Sequence, residues 1–128
     1  MGYCSNVMIA VTKKDFKKIE NEQKKIPDNY LLEDLEIENY KVNDIECVFA
    51  HFGYLKYYKE YEEVQLLEKS LNKLKDGYVF CRLGEEAGDI EFRNRTKLSE
   101  LMKNFEFIKE LSKKLNDELK EVEEEEFD

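Results

Sequence analysis

The chain has 128 residues with 30 acidic and 21 basic side chains, a formal charge of −9, and eight of those acids with one base fall within residues 117–128. The remainder is nearly neutral, which weighs against a nucleic-acid mimic, and no run of about 18 apolar residues or basic-plus-apolar leader calls for a membrane span or a secretory signal. A composition of 41% apolar and 12% aromatic residues suits one domain that buries its own core, even at 40% charged.

Residues 3–11 (YCSNVMIAV) form a short apolar run suited to a buried strand. Thr12 then supplies an N-cap hydroxyl, with Asp15 three residues on and Val11 and Phe16 at the staple positions of a helix. Its apolar stripe is Phe16, Ile19 and Ile26, and Pro27 stops it. Lys13, Lys14, Lys17 and Lys18 lie on the outer face, a cluster better explained as a solvated surface than as a phosphate site.

Residues 35–42 alternate weakly, and Val42-Asn43-Asp44-Ile45 has the chemistry of a tight turn. Residues 45–58 follow as a long strand, with Ile45, Cys47, Phe49, His51 and Leu55 on one face and Val48, Ala50, Phe52 and Tyr54 on the other. Both faces are apolar, so both require cover, and Gly53 marks a bulge or bend. Val64, Leu67, Leu71 and Leu74 give a second amphipathic helix, with Gly77 as its left-handed cap. Residues 78–83 (YVFCRL) form another strand, and residues 89–94 return as a short antiparallel partner after the turn flanked by Gly84 and Gly88.

Thr96 caps a long final helix with the stripe Leu98, Leu101, Phe105, Ile108, Leu111, Leu115, Leu119 and Val122. The expected fold class is α+β, a ferredoxin-like βαββαβ antiparallel sheet with this long C-terminal helix added. The expected organisation is a sheet domain over 1–96, an amphipathic helix over 97–122 packed on the sheet or on a partner chain, and a disordered acidic tail over 123–128. The helix outruns the sheet, so a homodimer through Phe105, Ile108, Leu115, Leu119 and Val122 is expected.

Chemistry is sparse. The three cysteines, Cys4, Cys47 and Cys81, are odd in number and lack C-x-x-C spacing, which favours reduced thiols in a cytosolic protein. His51 is the single histidine, with no metal-ligand spacing around it and no nucleophile within reach. Glu85, Glu86, Asp89 and Glu91 lack the alternation of a calcium loop, and the Glu-Glu-Ala between Gly84 and Gly88 would repel phosphate. No enzyme, cofactor or metal is therefore expected. The remaining excess is aromatic: Phe52, Tyr54, Tyr57, Tyr58 and Tyr61 crowd ten residues, a composition enriched at protein interfaces and here lacking the positive groove of a single-strand binder.

Three stretches, GYCSNVMIAV (2–11), LKYYKEYEEV (55–64) and RLGEEAGDIE (82–91), make the chain resemble short proteins of unknown function encoded by bacteriophages and prophages. It departs from them in carrying Tyr57 where a tryptophan is expected and in its acidic helical extension. The resemblance implies a phage accessory gene and transfers no catalytic residue. The expectation is a binding protein in the cytoplasm of an infected bacterium that inhibits or redirects a host protein, an anti-defence factor being one form. The alternatives are an oligomeric sponge for a nucleotide immune signal, held by the helix-one lysines with Arg82, Arg93 and Arg95, and an acidic nucleic-acid mimic.

Overall fold

The computed structural model describes residues 2–42 and 44–95. They form β1 (Ser5–Thr12), α1 (Lys13–Gln23), α2 (Tyr30–Glu33), β2 (Glu36–Val42), β3 (Ile45–Leu55), α3 (Glu62–Asn72), β4 (Val79–Gly84) and β5 (Ile90–Asn94). The strands make one antiparallel sheet in the order β2-β3-β1-β4-β5. The apolar run of β1 takes the central place, where both faces of a strand are buried.

These elements correct the expected fold class. The ferredoxin-like four-stranded βαββαβ unit is replaced by a five-stranded antiparallel sheet with three helices among the described residues. The fifth strand arises because β5 pairs along β4 from Leu83↔Ile90 to Val79↔Asn94, adding an edge to the sheet. The third helix, α2, follows from local chemistry: Asn29 caps it by accepting from Leu31 N at 2.8 Å, and Asp28 turns the chain at φ 52°. The added C-terminal helix, the 97–122 and 123–128 segments and the dimer residues Phe105, Ile108, Leu115, Leu119 and Val122 lie outside the described residues.

Helix α1 begins as its sequence dictates, with Thr12 Oγ1 accepting from Asp15 N at 3.2 Å. It ends at Gln23, before Ile26, so the third inward position of the stripe is taken by buried Gln23. In α3 the stripe Val64, Leu67 and Leu71 is buried. The helix stops at Asn72, and Gly77 instead closes the following turn at φ 77°, its N–H donating to Leu74 O at 3.3 Å. Between β2 and β3, Val42 pairs with Ile45 and Asp44 takes φ 69°, as a tight hairpin requires.

The core has two layers. Helix residues Phe16, Ile19, Leu31, Leu67 and Leu71 pack with Val7, Ile9, Val11, Val48, Ala50, Phe52, Leu55 and Phe80 of the sheet. On the opposite face Met8, Ala10, Val42, Cys47, Phe49, Val79, Cys81 and Leu83 form a second cluster. Each large side chain so buried contributes about 1.5–3 kcal/mol from water exclusion. No helix of the described residues is long and apolar enough to cross a membrane.

One irregularity decides which residues reach which face. Val7 pairs with Gly53 but Met8 with His51, so Phe52 is an extra residue in β3. Gly53 allows it by taking φ 107°, and a Cβ there would also lie 3.3 Å from Asp34 Cβ. The added residue inverts the alternation: Phe52 and Leu55 point to the helical layer, while Tyr54, opposite Asn6, shares the other face with His51. The faces expected for Leu55 and Tyr54 are thus exchanged.

Candidate binding surface

The bulge separates the aromatic residues that sequence alone groups together. Phe52 is core, 1% exposed. Tyr54, 56% exposed, stands on the opposite face and donates to Glu85 Oε1 at 3.0 Å. Tyr57 packs on the core, its ring 5.7 Å from that of Phe80, with a buried hydroxyl that has no hydrogen-bond partner. Burial pushes the Tyr57 hydroxyl far above its usual pKa, with the Glu68 carboxylate adding to the effect. Tyr58 and Tyr61 remain together, 5.3 Å apart, and Tyr61 stacks at 6.3 Å on Tyr30, a residue the sequence did not single out.

Tyr30, Tyr61 and Tyr58 therefore form a continuous ridge, and buried amides hold it in place. Gln23 Nε2 donates to Glu63 O at 3.0 Å, and Asn29 Nδ2 donates to Gln23 O at 2.8 Å and to Gln23 Oε1 at 2.6 Å. Glu63 closes the arrangement by accepting from Tyr30 N at 3.1 Å. These bonds tie the end of α1 to the starts of α2 and α3, the segments from which Tyr30 and Tyr61 project. Satisfied buried amides of this kind fix geometry more than they add stability.

Tyr58 also lines a groove of about 690 Å³ between the N-terminal half of α3 and the β1/β4/β5 end of the sheet. Tyr3, Tyr57, Val64, Gln65, Lys59, Glu68 and Lys69 line it as well, with Arg82 and Glu91 along its sheet side. The arginines are already committed. Arg82 donates to Asp89 at 2.8 and 3.2 Å, to Glu91 at 3.4 Å and to Ser5 Oγ at 3.1 Å. Arg93 grips both oxygens of Glu68 at 2.9 Å and lies 4.1 Å over the Phe80 ring. Arg82, and then the Tyr3 hydroxyl that donates to the same carboxylate, hold Asp89 down at a pKa of about 2. The basic groups left exposed in the groove lining are Lys59 and Lys69.

The acids of the β4–β5 turn are fasteners. Besides Asp89 and Glu91 on Arg82, Glu85 accepts from Cys4 N at 3.1 Å and Glu86 N donates to Tyr3 Oη at 3.1 Å. His51 Nε2 lies 3.2 Å from Asn6 Oδ1. Cys47 and Cys81 are buried thiols, pushed up by burial to about 11. Among the described residues no three His, Cys, Asp or Glu side chains gather as metal ligands.

No protein-family model, curated protein or solved structure matches the chain.

Proposed function

We propose that this is a non-catalytic protein-binding module that docks a partner polypeptide along the Tyr30–Tyr61–Tyr58 ridge and into the adjoining groove. What carries this reading is the contiguity of ridge and groove. Tyrosines supply rigid apolar area with a polar tip, the composition of interface hot spots. The partner segment would set apolar side chains against the rings and a carboxylate towards Lys59 and Lys69. With the resemblance to phage-encoded proteins, the partner is a host protein that this chain inhibits or redirects, in the cytoplasm of the infected cell. The homodimer belongs to the same proposal, carried by Leu115, Leu119 and Val122 at the far end of the terminal segment.

The test is affinity capture from lysate of the bacterial host with wild-type protein and a Tyr61→Ser variant of unchanged melting temperature. The expected result is a defined host protein held by the wild type and lost by the variant. No stable partner, or one held equally by both, would overturn the proposal.

A nucleotide-signal sponge is favoured by one observation, a groove within the size range of small-ligand sites that Tyr3, Tyr57 and Tyr58 help to line. Against it stand Arg82 and Arg93, whose guanidinium groups are already bound to carboxylates. Thermal-shift measurements with cyclic and ADP-ribose-type nucleotides separate the two, since a ligand of the folded state raises Tm.

A further inference from the structure

A sheet covered by helices on one face must leave its other face polar or find a second cover for it. Here Met8, Ala10, Cys47, Phe49, Val79 and Cys81 point away from the helical layer, yet each is 1% exposed or less. No described helix contributes to their cluster. A phenylalanine on a bare sheet face keeps much of its ring in water, so exclusion to this degree requires a layer above it.

We propose that residues 97–111 are that layer, an amphipathic helix laid across the strands with Leu98, Leu101, Phe105, Ile108 and Leu111 facing the cluster around Phe49. Strand β5 ends at Asn94, opposite Val79 of the cluster, and Arg95 N still donates to Tyr78 O, so the chain leaves the sheet at its β5 edge, from which the face can be reached. The length also fits: five strands at about 4.8 Å spacing are about 19 Å across, which about 13 helical residues span.

Interactions on this face agree with this. Asn6, Glu38, Tyr40, Phe49, His51 and Asn94, all on this face, each take part in a hydrogen bond, ion pair, ring contact or electrostatic interaction beyond those described above. Ile90 and Phe92 on the β5 edge, 39% and 48% exposed, mark where the cover ends. Tethering favours the chain's own segment over a second copy, because attachment gives it a high effective concentration at the face.

Cys47 and Cys81 lie within this face and report on it directly. In the full chain carrying Cys4→Ser, both thiols should resist a thiol reagent in the folded protein to the same extent at every protein concentration. Phe105→Asp and Ile108→Asp should each speed their labelling by at least about tenfold, the equivalent of roughly 1.4 kcal/mol of lost cover. Rapid labelling of the folded wild type would overturn the proposal. Protection that fades on dilution would assign the layer to a second copy and equally overturn it, as would unchanged labelling in both variants. Should the aspartate variants lose the circular dichroism of the fold, Phe105→Ala and Ile108→Ala carry the same comparison.

Discussion

Phe52 and Tyr54 are two residues apart on one strand, and the chain uses them in opposite ways. Phe52 fills the helical layer, so Phe52→Ala should cost about 3–5 kcal/mol in urea unfolding. Tyr54→Ala removes an exposed ring and one exposed hydrogen bond, and should cost no more than about 1 kcal/mol. Tyr57 makes a different prediction. Its hydroxyl is buried without a partner, so Tyr57→Phe should leave stability unchanged or raise it by up to about 1 kcal/mol. A clear loss would reveal a hydrogen bond to that hydroxyl. Asp89 gives a pH dependence. Its carboxyl falls from the usual 3.8 to about 2 in the fold, so its contribution is complete above about pH 4 and is lost as pH falls towards 2. Denaturation curves of wild type and Asp89→Asn should differ by a constant amount above about pH 4 and converge towards pH 2.

Among the elements, the β3 bulge has the widest consequences for the surface. Gly53→Ala would force a side chain into φ 107° beside Asp34, and should destabilise by about 1–3 kcal/mol. Chemical unfolding checks it, and an unchanged midpoint would show that the strand can repair its register without glycine. The same bulge explains what the sequence could and could not show. Apolar runs, the Thr12 cap and the spacing of Val64, Leu67 and Leu71 mark out β1, α1 and α3, because those signals are local. Gly53 is visible as a candidate bulge, but whether it adds a residue depends on its pairing with β1, which lies more than 40 residues away. Without that register, Tyr54 falls on the wrong face and the five aromatics read as one patch. Helix α2 is a single turn of four residues, too short to show periodicity, so Tyr30 could not be joined to Tyr61. Arg82 and Arg93 look available for phosphate because their carboxylate partners are set by strand pairing and by α3 packing on the sheet, not by neighbours in sequence.

At the scale of the whole molecule, the sheet separates two surfaces with different work. The helical side carries the tyrosine ridge and groove, framed by the amide bonds among Gln23, Asn29 and Glu63. The far side holds a dry apolar cluster and, at its margin, the Tyr54–Glu85 contact. If binding belongs to the ridge, residues adjacent in sequence but opposite in space must differ in effect. The deciding measurement is the affinity of the captured host partner for wild type, Tyr30→Ser, Tyr61→Ser and Tyr54→Ser, each with its fold verified. The two ridge variants should bind at least about tenfold more weakly, a loss of roughly 1.4 kcal/mol apiece, while Tyr54→Ser binds as wild type. Full affinity in both ridge variants, or an equal loss in Tyr54→Ser, would contradict the assignment of binding to the ridge.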